Sequence, residues 1–125
     1  MQRADLLAKL NAAIDGLTYP SESDEPFDVV YWENPNKTPL QALIAEKAAN
    51  SRKVKIVPVD EFFTQLLEAD AAPQFQILRR TIQSVARNIQ VFRVGEGEVR
   101  VDVYVIGQTN PDQSVVGVHT LSVET

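Results

Sequence analysis

The sequence predicts an α+β fold in which helices cover an antiparallel sheet. Three observations predict it. The first two thirds of the chain repeat apolar residues at helical spacing, interrupted by short β-branched runs. The last third alternates apolar and polar residues in runs separated by Gly95-Glu96-Gly97 and Asn110-Pro111-Asp112-Gln113, the pattern of an antiparallel meander. With 125 residues, 44% hydrophobic and 23% charged, the chain can bury one core but hardly two. Residues 1–125 are therefore expected to form a single domain.

The elements follow in order. Leu6, Leu7, Leu10, Ile14 and Leu17 recur at three- and four-residue spacing, and Gly16 is placed to end that first helix. Residues 17–27 form a polar loop bracketed by Pro20 and Pro26. Asp28 to Glu33 is aromatic and β-branched, hence a strand. After a turn at 34–37, Thr38 caps a helix expected over 39–49, with Pro39 at its first position and Gln41 at its third. Val54 to Val59 predicts a short strand. Asp60 is placed to cap a helix whose apolar face is Phe62, Phe63, Leu66 and Leu67. Past the Ala71-Ala72-Pro73 break, Phe75, Leu78, Ile82 and Val85 mark a further amphipathic helix. The meander then comprises strands at 90–94, 98–107 and 114–123, with the second and third adjacent. Val99, Val101, Val103 and Val105 share one buried face of the second strand. No repeat, linker or low-complexity tract interrupts this order.

Composition narrows function by exclusion. The chain has no cysteine, so disulfides, thiolate nucleophiles and thiolate metal sites are absent together. A single histidine, His119, cannot build a polyhistidine centre, and in mid-strand it reads as a wet or half-buried packing group. A formal charge of −5 opposes direct nucleic-acid binding, which needs positive charge to displace counterions, and suits a basic protein partner. No apolar run is long enough to span a membrane, and the start of the chain lacks a signal-peptide pattern, so a cytoplasmic protein is expected. Gly95-Glu96-Gly97 lacks the lysine and the following helix of a phosphate loop and reads as a hairpin turn. Glu96 and Glu98 read as a solvated face. Nothing in the sequence has the arrangement of an enzyme, and no cofactor is called for.

Two places stand out. Residues 21–28 carry Glu22, Asp24, Glu25 and Asp28, an array of oxygens able to stand in for phosphates, because carboxylates engage arginine forks as phosphates do. The other place is the end of the sequence. Glu124 and Thr125 follow directly on a strand, so a glutamate, a hydroxyl and an α-carboxylate are expected close together as hard oxygen ligands.

The residues that surround these places resemble the nuclease A inhibitor family. The matching pieces are Asp15-Gly16-Leu17, Ser21-Glu22-Ser23-Asp24 with Pro26-Phe27, Trp32-Glu33, and Val57 to Phe63. They continue with Asn88 to Val94, Glu98 to Gly107, and Val123-Glu124-Thr125. The resemblance covers nearly the whole chain. It implies an α/β/α sandwich of the PR-1-like kind and an inhibitor that occludes the active site of a magnesium-dependent, non-specific endonuclease. It further implies that Glu22 meets a basic group of the nuclease's catalytic site and that Thr125 approaches the nuclease's magnesium, the chain's only metal contact. Asp24 and Glu25 would steer, and Trp32 would belong to the core or the loop wall. The expected partner is that endonuclease, bound by a monomer without direct contact to nucleic acid or membrane. One departure qualifies the match. Family inhibitors carry an acidic insertion with an Asp-Trp pair before the last long helix, where this chain has only Glu68 to Pro73 and Asp70 as the acid to stand in. That shortening favours the alternative, a divergent, non-inhibitory protein-interaction domain with the same fold.

Overall fold

The computed structural model describes residues 2–33, 36–46, 48–109 and 113–124. Helix α1 (Arg3–Ile14) buries Leu6, Leu10 and Ile14, and Gly16 leaves it at φ +72°, the left-handed stop that its lack of a Cβ permits. Segment 17–27, expected as loop throughout, is instead a small hairpin of β1 (Thr18–Tyr19) and β2 (Glu25–Pro26). Strands of two residues leave no periodicity to read. Burial holds them: the Tyr19 ring stacks on Phe62 at 5.9 Å, and Phe27 meets Phe75 edge-on at 6.1 Å.

Strand β3 (Asp28–Trp32) leads to α2 (Pro39–Ala45), whose capping box forms as expected. The Gln41 N–H donates to Thr38 Oγ1 at 3.2 Å, and the Thr38 N–H donates to Gln41 Oε1 at 2.9 Å. The helix stops at Ala45 rather than at 49. The chain curls back instead, with the Ala48 N–H on the Leu43 carbonyl at 3.0 Å and positive φ at Asn50 and Ser51. Then come β4 (Val54–Val57), α3 (Val59–Gln65), a 3₁₀ turn (Leu66–Glu68) and α4 (Ala72–Val85). Pro58, not Asp60, holds the N-cap of α3, and Asp60 in the first turn pairs with Arg79. The tighter 3₁₀ winding buries Leu66 but turns Leu67 outward. Phe75, Leu78, Ile82 and Val85 are buried along α4, as their spacing requires.

The meander is β5 (Arg87–Val94), β6 (Arg100–Gln108) and β7 (Val115–Val123). Strand β5 begins three residues earlier than expected, across a register break at Asn88, whose φ is +53°. Gly95 and Gly97, both at positive φ, make the expected hairpin turn, closed by the Glu98 N–H on the Gly95 carbonyl at 2.9 Å. Strand β6 starts only at Arg100, so Val99 lies outside the ladder and is 56% exposed, whereas Val101, Val103 and Val105 are buried. The turn residues 110–112 lie outside the described residues.

The five-stranded sheet runs β3-β7-β6-β5-β4 with antiparallel neighbours throughout, so the expected β6–β7 pairing is present. Alternation gives it two buried faces. Val91, Val103, Val105, Val116 and Val118 pack with α1, α3 and α4, while Phe92, Val94, Ile106 and Val115 pack with Ala42 and Leu43 of α2. Helices and an antiparallel sheet make the chain α+β. Trp32 packs half-buried with the second cluster, its ring 5.8 Å from Tyr104.

Candidate functional site

The acidic loop is the tip of the β1–β2 hairpin, and its local order comes from serines. Ser21 Oγ donates to the Ser23 carbonyl at 2.7 Å, and Ser23 Oγ donates to the Glu25 carboxylate at 3.0 Å. The same Ser21 Oγ accepts the Val123 N–H at 3.1 Å, and the Glu22 N–H donates to the Val123 carbonyl at 3.0 Å. Lower on the hairpin, Thr120 Oγ1 donates to the Pro26 carbonyl at 2.9 Å. The loop is thus sewn to the last residues of β7. Two places that lie about a hundred positions apart in sequence become neighbours, and preorganisation of this kind removes part of the ordering cost of binding.

Within this surface the predicted residues differ in their freedom. Glu22 and Asp24 are exposed, and among the described residues neither carboxylate has a partner. Asp24 lines a shared hollow with Glu68, Asp70 and Phe75, which brings the shortened 68–73 segment beside the acidic loop. Glu124 is engaged. Its carboxylate accepts from Ser122 Oγ at 2.8 Å and from Arg93, whose Nε also donates to Glu96 at 2.7 Å. Burial works to raise the Glu124 carboxyl, but these hydrogen bonds and the charges of Arg93 and Lys55 hold it below its ordinary value. Thr125 lies outside the described residues. Glu96 and Glu98, expected as a solvated face, are ion-paired with Arg93 and Arg52 respectively. Sequence reasoning missed Arg93 altogether; an arginine inside an alternating strand reads as an outward-facing polar residue.

The single histidine occupies the other face. His119 Nδ1 meets Asp28 and Nε2 meets Asp102, each at 2.7 Å, so neither ring nitrogen is left to act as a base toward a nucleophile. Arg52 Nη1 donates to the other oxygen of Asp102 at 2.6 Å. Burial pulls Asp102 upward, but hydrogen bonds from His119 and Arg52 and their charges hold it below its ordinary value. Tyr104, its ring 4.7 Å from His119, is pushed up to about 12 by burial and then by the negative charges of Asp102 and Asp28. A raised phenol stabilises the fold below its ordinary value of 10.0, and that contribution is lost as pH climbs through the folded value. The melting temperature is therefore expected to fall between these two values, and to fall less in Tyr104→Phe. Equal alkaline profiles for the two chains would refute this assignment.

Among the described residues no three histidine, aspartate or glutamate side chains are placed to hold a metal ion, and no helix is long and apolar enough to cross a membrane. The geometry presents an ordered acidic surface. The family model for nuclease A inhibitor-like proteins matches residues 4–125. The chain belongs to the nuclease A inhibitor-like family. It is accordingly an inhibitor-type protein and not an enzyme. No curated protein sequence matches it. The Ser21-Glu22-Ser23-Asp24 stretch and Val123-Glu124, singled out in the sequence, adjoin in this nuclease A inhibitor-like fold through the Ser21–Val123 and Glu22–Val123 hydrogen bonds.

Proposed function

We propose that this chain inhibits a magnesium-dependent, non-specific endonuclease by presenting carboxylates to the basic groups that otherwise hold phosphates. The observation that carries the proposal is the attachment of Glu22 to Val123. It fixes a carboxylate that has no partner among the described residues on a backbone held by β7, which pairs on both sides in the sheet. In this reading Glu22 meets an arginine of the nuclease's cleft, Asp24 and Glu25 steer the encounter, and Glu124 borders the contact. Thr125 brings an oxygen toward the partner's magnesium. The chain supplies no metal of its own, works as a monomeric cytoplasmic domain, and competes with nucleic acid without binding it. Apolar clusters on both faces of the sheet support an α/β/α layering of the PR-1-like kind.

Charge makes the proposal testable. A protein of net charge −5 that docks on a basic cleft associates faster when unscreened. The association rate with an inhibited nuclease is expected to fall steeply as salt rises toward and beyond physiological strength, where the screening length is about 8 Å. A rate indifferent to salt would remove the acidic loop from the mechanism. Thr125→Val keeps size and removes the hydroxyl; on this account it weakens inhibition in magnesium without lowering the melting temperature. Unchanged inhibition would remove the Thr125 hydroxyl from the contact and leave its α-carboxylate as the oxygen concerned. Should no nuclease of a magnesium-dependent panel be inhibited, the short 68–73 segment points to the non-inhibitory interaction domain instead.

A further inference from the structure

We infer that Arg93 is a positioning residue for the inhibitory surface: from β5 it clamps Glu124 just past the end of β7, and through Val123 it sets the place of the Ser21-Glu22 loop. The inference rests on the function proposed above and assigns a part to a residue that would not itself touch the nuclease.

The chain of contacts is continuous. Arg93 stands opposite Val103 of β6 and Lys55 of β4, so β6 lies between it and β7. Its guanidinium is forked between two acids. Nε donates to Glu96 in the hairpin turn at 2.7 Å, and Nη2 donates to Glu124. The side chain is only 18% exposed, which strengthens both bonds relative to a surface pair. Burial opposes the charge on Arg93, yet the hydrogen bonds to Glu124 and Glu96 more than offset it. Glu124 is held from other directions too. Ser122 Oγ donates to its carboxylate, and its own N–H donates to the Val99 carbonyl at 2.7 Å. One residue earlier, the Val123 N–H and C=O take Ser21 Oγ and the Glu22 N–H. One edge of the β7 tail therefore carries the acidic loop, and the other side of the same tail is pinned by Arg93.

Other groups about the clamp do not replace it. Lys55 lies 3.9 Å from Glu96 and is mostly exposed, and the Tyr19 phenol, raised by burial, stays neutral. A lysine at position 93 could hold one of the two acids but lacks the planar fork that holds both. Loss of the fork would release the tail into several arrangements, of which only one presents Glu22 as the nuclease needs it. Apparent affinity then falls by the fraction that remains competent.

The test uses the full chain and two readouts. Arg93→Met removes the charge and the fork while keeping an apolar stem, and Glu124→Gln is the milder variant should Arg93→Met fold poorly. Arg79→Met serves as the control, since it breaks an ion pair with Asp60 and not one with either acid of the clamp. The first readout is amide hydrogen exchange in the free protein at Glu22 and Glu124. Both amides are expected to exchange about tenfold faster or more in Arg93→Met, as local opening of the tail would produce, and to be unchanged in Arg79→Met. The second is inhibition of a nuclease that the natural chain inhibits. There Arg93→Met is expected to weaken inhibition about tenfold, and adding Glu22→Ala is expected to cost less than it does alone, because the two act through one arrangement. Unchanged exchange, or inhibition equal to the natural chain at equal folded fraction, overturns the inference. A natural chain that inhibits no nuclease overturns the proposed function instead, and the exchange experiment still decides whether Arg93 holds the loop.

Discussion

Gly117→Ala is expected to be the most damaging single-methyl change in this chain. Gly117 sits in β7 opposite Ile106 of β6, in the middle of the sheet's most extensive strand pair. A Cβ at this position would stand 1.9 Å from the Val105 carbonyl oxygen and 2.8 Å from the Ile106 Cα. Both are backbone atoms, so no side chain can swing aside. Either the ladder parts or β7 shifts, and each response breaks hydrogen bonds between buried strands. Overpacking that displaces backbone costs on the order of 3 kcal/mol or more. For a domain of this size that corresponds to a fall of roughly 10 °C in melting temperature. Thermal unfolding followed by circular dichroism measures it. A loss of only a degree or two would show that β6 and β7 lie further apart here than the structure places them. Gly97→Ala is the comparison: its φ of +89° strains any side chain, but nothing lies within 4 Å of the new methyl, so it should cost about 1 kcal/mol.

Glu22→Ala is expected to cause the largest loss of binding without loss of fold. The carboxylate is exposed and has no partner among the described residues, so its removal leaves nothing unsatisfied in the free protein. The backbone bond from the Glu22 N–H to Val123 survives the substitution, and the loop keeps its place. What disappears is the charge offered to the nuclease. Truncating one side of a desolvated charge pair costs about 2–5 kcal/mol, which is about 30-fold in Kd at the lower end. Asp24→Ala, at the rim, should change mainly the association rate and its salt dependence. Glu25→Ala also removes an acceptor of the Ser23 hydroxyl, so its effect should appear in loop order as well. Small, equal losses at positions 22, 24 and 25 would reduce the loop to general acidity.

Periodicity made most of the helices and strands legible, because it depends only on which face is buried. The exceptions mark where local pattern gives way to long-range contact. The 18–26 hairpin is too short to show alternation and exists because Tyr19 and Phe27 bury against Phe62 and Phe75. Leu67 and Val99 continue an apolar spacing past the point where the winding or the ladder changes, and both end exposed. The site was legible as two separate stretches, since acids in a bracketed loop and oxygens after a strand are both visible in one dimension. Their adjacency was not. It depends on Ser21 and Val123, residues without distinctive chemistry, and on Arg93, which serves Glu124 across an intervening strand. Glu124, expected to face a partner, also carries this internal bond on its carboxylate.

An acidic surface that occupies the place of phosphates must compete with DNA for the nuclease. Initial rates of DNA cleavage by an inhibited magnesium-dependent nuclease are followed against inhibitor at several DNA concentrations, with Glu22→Ala run alongside. Complete inhibition by one inhibitor per nuclease is expected. The apparent inhibition constant should rise linearly with DNA concentration, and the Glu22→Ala curve should be displaced to higher inhibitor. Inhibition that is independent of DNA concentration, with the nuclease still binding DNA in the complex, would place the inhibitor away from the phosphate site and contradict the account.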